Sequence, residues 1–505
     1  MDVIIVILTI TAASGAFVND LKYAENYVNH REFLLRKKYM PHYHITAPEG
    51  WINNPSGFTI FKRQYHLFYQ YHPYNGAWGH MSWGHAVSDD LVDWTYYPAA
   101  LIPKDYYDLH GCLSGTALVR KRYLTLFYTG TIVEDSESLQ TQNIALSTDG
   151  IIFQKYLYNP IIRRSPNRFE ENRNPKVWRH RKLWYMLVGA TNILGCGQLN
   201  LFTSKDMFNW ELNGTVIESY GDMGQVWESP DLFQIGEHHV LMLSVQGVKS
   251  DGFRYRNLYQ TGYIVGKFNY QRGKFEDAEI STATFNEVDY GHDFYGAKTT
   301  KASDGRILMV AWLGMWESDF TESTTGWVSM LTLIREVRIN KFGRLLINPV
   351  REIAELRVEM IENAWYNPGE KFPAEAKAFE LVVNSTSAFS DVGIIFEWEK
   401  GHFVIAFSAN HGYVSVDRGG VDGIRRAYWS PDKFFFLRIF IDASSIEIFC
   451  GDGEVVFSSR IYPKAINIRI AGQTPLHIEQ YRLRRSVGFD SKLVKRLMDT
   501  VLNGS

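Results

Sequence analysis

The sequence predicts an all-β protein, a five-bladed β-propeller followed by a C-terminal β-sandwich. Three features lead to this prediction. Aromatic residues form 15% of the 505 residues and are accompanied by 40 glycines, a mixture that favours short strands and tight turns over long helices. A degenerate repeat of strands and turns runs through the first two thirds of the chain. The last third contains short alternating strands at the spacing typical of a sandwich.

The propeller prediction depends on a strand-turn pattern that recurs between about residues 50 and 340. In three copies, an apolar strand ends in a serine, and a polar turn and an aromatic residue follow. The serines are Ser88, Ser147 and Ser204, at intervals of 59 and 57 residues. A repeat of this length built from strands is typical of propeller blades, and the region is long enough for about five. Two sandwich domains are the alternative, but they would not explain the period.

The domain boundaries follow from where the repeat fades. We expect the propeller over residues 40–349, a linker over residues 350–377 that begins with a short charged helix, and the sandwich over residues 378–490. Strands are predicted at Phe379–Val383, Phe403–Phe407 and Phe434–Ile441. The dipeptide Asp452-Gly453 lies between two apolar strands and predicts a hairpin turn.

Charge and cysteine content exclude several classes of function. The net charge is −2, so no global basic field would draw the chain to nucleic acid or to an anionic membrane. The three cysteines are far apart and form no CxxC motif, so they predict neither a disulfide framework nor a zinc site. Several histidines between His42 and His85 have no defined ligand spacing, and we expect no metal and no cofactor. The oligomeric state stays open.

The N-terminus has the pattern of a signal peptide. Residues Val3–Ile10 are apolar except for Thr9, and small residues follow as far as Ala16, although Asp2 stands where a basic residue is usual. The sequence therefore predicts a signal peptide over residues 1–16 and an extracellular protein. No later segment reaches the roughly 18 apolar residues that a membrane-spanning helix needs.

Three short segments combine polar groups with a proline near the start of a predicted blade. They are Asn53-Asn54-Pro55, Arg173-Asn174-Pro175 and Glu228-Ser229-Pro230. Because the innermost strands of a propeller surround a central channel, groups from different blades can converge there. Taken singly each segment is weak evidence, since Asn-Pro usually starts a turn and a lone glutamate usually faces solvent.

Together these segments give the chain, from about residue 40 to about 485, a resemblance to glycoside hydrolase family 32, the invertase and β-fructofuranosidase family. That family carries Trp-Met-Asn-Asp-Pro-Asn-Gly, then Arg-Asp-Pro, then Glu-Cys-Pro. Five further segments resemble the family's pattern: Tyr65–Tyr71, Trp83–His85, Ser114–Thr116, Trp312–Trp316 and Arg438–Phe449. The resemblance implies a five-bladed propeller followed by a sandwich, and a sugar such as sucrose or a fructosyl oligosaccharide as ligand.

The resemblance also implies roles for individual residues in a retaining hydrolysis, which uses a nucleophilic carboxylate and an acid/base. Asn54 occupies the nucleophile position, Glu228 the acid/base position, and Asn174 the position of the group that binds the fructose hydroxyls. Six more residues match positions that hold the sugar: Asn53, Gln70, Trp78, Ser114, Arg173 and Trp312.

The sequence departs from the family at two of three carboxylate positions, where Asn54 and Asn174 replace aspartates. An amide is nearly isosteric with a carboxylate, but it carries no negative charge and its oxygen is a poor nucleophile. Three hypotheses follow. The chain is a pseudoenzyme that still binds fructosyl sugars, a working β-fructofuranosidase with an unrecognised nucleophile, or an interaction protein with a relic pocket.

Overall fold

The described part of the molecule is nearly all β. The computed structural model describes residues 38–134, 137–163, 172–276, 279–385, 387, 389–421, 423–431 and 434–490. The signal peptide expected over residues 1–16 lies outside these ranges. Within the described ranges, the helices are too short to cross a membrane.

Five blades form the propeller, and each has four antiparallel main strands that follow the chain from the innermost strand outward. Blade one contains β1 (Gly50–Phe61), β2 (Gln64–His72), β3 (Ser82–Ser88) and β4 (Trp94–Leu101). Blade two contains β5 (Gly111–Arg120), β6 (Tyr123–Glu134), β7 (Glu137–Ser147) and β8 (Gln154–Lys155). Blade three contains β9 (Asn172–His180), β10 (Leu183–Thr191), β11 (Gly197–Ser204) and β12 (Glu211–Glu218).

Blades four and five carry additional short strands. Blade four contains β13 (Val226–Ile235), β14 (His238–Gln246), β15 (Tyr259–Asn269) and β16 (Lys274–Glu276), with β17 (Asn286–Glu287) paired to β15. Blade five contains β18 (Tyr295–Lys301), β19 (Ile307–Leu313), β22 (Arg335–Ile339) and β23 (Leu345–Pro349). Between β19 and β22 lie a 3-10 helix (Thr321–Thr325), β20 (Trp327–Val328) and β21 (Met330–Leu331).

The five innermost strands close a ring. Contacts link β1 to β5, β5 to β9, β9 to β13, β13 to β18, and β18 back to β1. The start of each of these strands therefore lies at the same end of a central channel, because successive blades have the same connectivity. This ring confirms the five-bladed propeller that the repeat predicted.

The repeated serines have a common structural role at the turn after the third strand of blades one to three. Each serine hydroxyl accepts the N–H of the residue three positions later, and the aspartate two positions after the serine accepts two further backbone N–H groups. The serine-to-amide distances are 2.8 Å for Ser88, 2.9 Å for Ser147 and 2.9 Å for Ser204. The period in the sequence is therefore a repeated turn whose side chains satisfy its own backbone.

Two six-stranded sheets form the sandwich. One sheet has the order β24 (Arg357–Tyr366), β35 (Leu476–Leu483), β26 (Phe379–Ser385), β31 (Phe435–Asp442), β32 (Ser445–Cys450) and β33 (Val455–Arg460). The other has the order β25 (Lys371–Pro373), β34 (Asn467–Gly472), β27 (Val392–Trp398), β28 (Gly401–Ser408), β29 (Tyr413–Asp417) and β30 (Ile424–Tyr428). Their inner faces enclose a core of isoleucine, valine and phenylalanine. The strands expected near Phe379, Phe403 and Phe434 are present, as is the hairpin at Asp452-Gly453.

Residues 350–377 differ from the expected linker. A 3-10 helix (Arg351–Leu356) opens this segment, and β24 and β25 then pair with β35 and β34 as edge strands of the two sheets. The difference has a physical reason. Every residue of β24 is exposed or half-buried, so this edge strand lacks the alternating buried apolar side chains from which a strand is predicted. The chain then returns to the propeller at β36 (Val487–Gly488), which pairs with β4.

Buried charges fix the sandwich to the propeller. His44 lies between Asp442 and Glu447 of the sandwich, at 2.9 Å from Asp442 Oδ2 and 2.8 Å from Glu447 Oε1. Arg335 of β22 forms ion pairs with Glu447 and with Asp289, and all five side chains are fully buried. We call these five residues the interface charge cluster. Burial alone lowers the pKa of His44, but its hydrogen bonds to the two carboxylates outweigh burial and raise the pKa to about 9.

Candidate functional site

The three proline-containing segments lie at the same end of the central channel, because each begins an innermost strand. At each of them the strand bulges against its neighbour: Ile52 and Pro55 flank one register shift, Arg173 and Lys176 a second, Glu228 and Asp231 a third. Proline lacks the N–H that a continuous ladder needs, so a bulge suits this position. A bulge also redirects the side chains beside it, here toward the channel.

All five innermost strands bulge at this level. The remaining two shifts occur at Ser114 in β5 and between Tyr295 and Lys298 in β18. Asn174 and Ser229, which lie in two of the bulges, adopt positive φ angles of 61° and 49°. These are sparsely populated conformations for residues with a side chain, and they are held here by the surrounding blades.

Asn54 is buried, and its Oδ1 atom has no hydrogen-bond partner. Gly296 of β18 lies directly against it, since a Cβ added at Gly296 would overlap the Asn54 side chain. The Gly296 N–H donates to Ser244 Oγ at 3.1 Å, which fixes the glycine in place. Asn54 is therefore tightly enclosed on the β18 side and has an acceptor oxygen without a donor.

Asn174, in contrast, is well bonded. Its backbone N–H donates to Thr129 Oγ1 at 2.9 Å, and its Oδ1 accepts the Ser229 N–H at 3.2 Å. The amide nitrogen faces the carbonyl oxygen of Ser114 at 3.5 Å. An amide suits both neighbours of Asn174, because its oxygen accepts from Ser229 and its nitrogen donates to Ser114. A carboxylate would instead place a second acceptor oxygen against the Ser114 carbonyl oxygen.

Glu228 has three partners. Its Oε2 accepts hydrogen bonds from the Tyr295 hydroxyl at 2.7 Å and from Gln246 Nε2 at 2.9 Å. Its Oε1 lies 3.3 Å from Arg173 Nε in an ion pair whose side chains are 18% and 13% exposed. Burial, followed by the charge of Glu228, raises the pKa of Tyr295 well above its usual value, so Tyr295 stays protonated and acts as a donor.

Ser114 and Gln70 form a second polar group in the site. Gln70 Nε2 donates to Ser114 Oγ at 2.6 Å, and Ser56 Oγ lies 3.2 Å from the same atom. Gln70 Oε1 is buried without a partner, as is Asn54 Oδ1. Buried polar atoms are rarely left unbonded, so these two oxygens are suited to accept hydroxyl groups from a ligand.

The aromatic residues of the site differ in exposure. The Trp51 indole N–H donates to Asn53 Oδ1 at 3.3 Å, and its ring packs 5.9 Å from the fully buried Trp312. Trp312 exposes no surface and donates its own N–H to Ser329, so it supports Trp51 from behind. Trp78 lies on the loop between β2 and β3 and is 52% exposed.

The structure thus brings Asn53, Asn54, Gln70, Ser114, Arg173, Asn174 and Glu228 to one end of the channel. Sequence reasoning missed Tyr295 and Gln246. Both approach Glu228 through strand register, since Gln246 pairs with Val226 two residues before it and Tyr295 begins the fifth innermost strand. A signal was available for Tyr295, because the blade-five strand should also start beside the channel.

This arrangement can position a polyhydroxylated ligand, but it holds a single carboxylate among the motif residues. A retaining hydrolysis needs a second carboxyl as nucleophile. Within the described ranges, His, Cys, Asp and Glu form no group of three that could hold a metal ion.

Family models match nearly the whole of the described chain. The model described as "Glycosyl hydrolases family 32 N-terminal domain" matches residues 44–349, and "Glycosyl hydrolases family 32 C terminal" matches residues 352–478. Among curated proteins, the sucrose-6-phosphate hydrolase of Escherichia coli is 35% identical over 438 residues, covering 84% of this chain and 90% of that protein. The raffinose invertase of Escherichia coli is 35% identical over 450 residues, covering 84% and 90%.

A solved structure extends the likeness to three dimensions. The GH32 β-fructofuranosidase of Bombyx mori is 36% identical and has a TM-score of 0.86, covering 94% of this chain and 99% of that chain. A mutant of that enzyme, in which one aspartate is replaced by alanine, is solved in complex with sucrose.

Proposed function

Because this chain belongs to glycoside hydrolase family 32, we propose that it is a secreted β-fructofuranosidase-like protein that binds sucrose or related fructosyl sugars, with hydrolysis lost or severely reduced. One observation carries the proposal. The neutral Asn54 stands at the position that the family resemblance assigns to the nucleophile, while the hydrogen bonds around Glu228 and Gln70 are in place.

The argument for binding comes from the polar atoms that lack partners. Asn54 Oδ1 and Gln70 Oε1 are buried acceptors, and sugar hydroxyls are donors that could satisfy them. Arg173 and Glu228 add a charged pair at the same end of the channel. The Bombyx mori relative gives further support, since its mutant lacking one aspartate is solved with sucrose bound.

The argument against efficient hydrolysis comes from the amide of Asn54. It cannot attack the anomeric carbon as a carboxylate does, and it cannot stabilise the positive charge that develops on the sugar. Removing a nucleophile from a set of groups that act together can lower kcat by on the order of 10⁶, about 8 kcal/mol. Because these groups act together, the second amide, Asn174, lowers kcat further by less than it would as the only substitution.

The test is an assay of glucose and fructose release from sucrose, comparing the chain with its Asn54→Asp, Asn174→Asp double variant. We expect release from the double variant alone, and Asn363→Asp, which places one added carboxylate at an exposed position, should behave as the unchanged chain does. Comparable rates in the unchanged chain and the double variant would establish a working β-fructofuranosidase instead.

Calorimetry with sucrose tests binding separately from catalysis. The unchanged chain should release heat at millimolar sucrose, and Gln70→Ala should reduce that binding. No heat from any fructosyl sugar would refute the binding claim and favour an interaction protein with a relic pocket. Secretion is tested by N-terminal sequencing of protein recovered from culture medium, where a chain that still begins at Met1 would contradict the proposed signal peptide.

A further inference from the structure

A loop of blade five packs against Trp51, the tryptophan beside the channel site. Residues 314–326 connect β19 to β20, and we call this segment the strap. The Phe320 ring of the strap meets the Trp51 ring edge to face at 5.1 Å, and the Trp316 ring stacks on it at 6.1 Å. Trp51 in turn donates its indole N–H to Asn53, one of the candidate site residues. The position of the strap therefore bears directly on the site.

Arg460, the last residue of β33 in the sandwich, contacts the strap. Its guanidinium lies 3.9 Å from the centre of the Phe320 ring, and its Nη1 donates to the Asp319 carbonyl oxygen at 3.3 Å. Its Nε pairs with Asp293 Oδ1 at 3.0 Å, and the Arg460 side chain is only 2% exposed. A planar guanidinium can stack on a ring while its edge donates hydrogen bonds, so this single side chain fixes the strap in two ways.

Tyr462 of the sandwich holds the strap at a second point. Its hydroxyl donates to Glu322 Oε2 at 2.5 Å, and the Glu322 side chain is fully buried. Glu322 Oε1 accepts the Ser329 N–H at 3.1 Å, and the Ser329 hydroxyl accepts the indole N–H of Trp312. The sandwich is therefore joined by hydrogen bonds to the strap and to the tryptophan that supports Trp51 from behind.

The strap also offers a hydrogen-bond donor of its own. The indole N–H of Trp312 is already used, whereas Trp316 Nε1 is buried and has no hydrogen-bond partner among the described residues. Buried polar atoms are rarely left unbonded, and a sugar hydroxyl oxygen is an acceptor that could satisfy this donor. Trp316 can therefore serve the ligand directly, while Phe320 and Trp312 support the neighbouring Trp51.

We propose that Arg460 is a positioning residue of the channel site, through which the sandwich holds the strap and thereby places Trp51 and Trp316 for a bound sugar. A strap without this contact would have to be ordered when the ligand binds, and that ordering would weaken affinity. The inference rests on the proposed function for the identity of the ligand. The link from Arg460 to Trp51 exists in the ligand-free chain and can be tested without a sugar.

The experiment compares the full chain with its Arg460→Lys variant. Lysine keeps a positive charge beside Asp293 but lacks the planar group that stacks on Phe320. Hydrogen exchange without ligand should be faster in the strap and at the start of β1, because these segments open more readily. Calorimetry should show sucrose binding weakened about fivefold, as expected for the loss of one buried cation–π contact.

Arg438→Lys is the matched control. Arg438 lies in the same sheet of the sandwich, pairs with Glu380 at 2.8 Å and lies 5.0 Å from the Phe440 ring, but it has no contact with the strap among its hydrogen bonds, ion pairs and ring contacts. This variant should leave both the exchange of the strap and the affinity for sucrose unchanged. A similar change in both lysine variants would show a general loosening of the sandwich and would overturn the proposal.

A third variant tests the route through Phe320 and guards against misfolding of the sandwich. Phe320→Leu lies outside the sandwich and removes the same contact from the other side. Arg460→Lys should therefore add little to the effect of Phe320→Leu in the double variant, whereas additive effects would contradict this route.

The two measurements separate the outcomes. Unchanged exchange of the strap in Arg460→Lys would overturn the proposal, as would faster exchange with sucrose binding unaltered. Faster exchange confined to the strap and the start of β1, in a chain that binds no sucrose, would support the link from Arg460 to Trp51 and count against the proposed function.

Discussion

Two buried polar regions of this protein are built in opposite ways. In the interface charge cluster, Asp442 accepts four hydrogen bonds, and Glu447 bonds to His44, Arg335 and the Leu333 N–H. At the end of the propeller channel, Asn54 Oδ1, Gln70 Oε1 and Ser229 Oγ are buried and lack partners. The cluster is complete within the chain, whereas the channel site has polar atoms without a partner in the chain, which a ligand could satisfy.

The interface charge cluster therefore contributes to the stability of the fold, whereas the channel site keeps polar groups available for a ligand. Removing one partner of a buried ion pair leaves an uncompensated charge and is strongly destabilising. An unpaired amide in a binding site contributes little to folding, so it can change with smaller consequences for the fold. The cluster keeps its charges, whereas amides stand at the two channel positions, Asn54 and Asn174, that the family resemblance assigns to carboxylates.

The largest effect on stability is expected from Glu447→Gln, which removes one negative charge from the interface charge cluster. The substitution keeps the shape but leaves Arg335 and His44 beside a neutral group, so we expect a loss of about 3–5 kcal/mol in the free energy of unfolding. Chemical denaturation measures it. The exposed Glu237→Gln should stay within about 0.5 kcal/mol of the unchanged chain. A loss below about 1 kcal/mol for Glu447→Gln would show that the cluster does not hold the domains together.

The pH dependence of stability tests whether His44 is charged in the interface charge cluster. The pKa of His44 is raised from 6.5 to about 9 in the folded chain, so its contribution is fully present below about 6.5 and is lost as pH rises through about 9. Lys298 acts in the opposite direction: burial lowers its pKa to about 7, and the stability it costs is regained at higher pH. The measurement is therefore the difference between the unchanged chain and His44→Gln. That difference should shrink between pH 6.5 and 9, and a constant difference would contradict a charged His44.

A smaller effect is expected at Gly296, where the channel site is tightly enclosed. Gly296 has a φ of 69°, and an alanine there would both strain the backbone and overlap Asn54. We expect Gly296→Ala to cost roughly 2–3 kcal/mol. Gly305 is a matched control, since its φ of 92° strains an alanine similarly while nothing lies within 4 Å of the added Cβ. Thermal unfolding measures both variants, and equal losses of stability would mean that the Asn54 side chain moves aside at no cost.

The sequence allowed the fold to be predicted because its signals are local. A turn such as that at Ser88 uses its own side chains to satisfy its backbone, so it leaves a visible period. The hydrogen-bond partners of Glu228 could not be predicted from such a local pattern. Tyr295 reaches it from 67 residues further along the chain, through a ring closure that no local pattern encodes. His44 was one histidine among several, and only the packing of the two domains places it between Asp442 and Glu447.

The smallest effect on stability is expected from Asn54→Ala, and it is the sharpest contrast with Glu447→Gln. Truncation loses some packing, but it also removes a buried oxygen that has no donor and whose desolvation opposes folding. These two terms have opposite signs, so we expect a change within about 1 kcal/mol. Sucrose binding should weaken about tenfold, because the ligand loses an acceptor. Denaturation and calorimetry on one preparation separate the two readouts. A loss of stability as large as that of Glu447→Gln would place Asn54 among the groups that hold the fold, and the contrast between the two regions would fail.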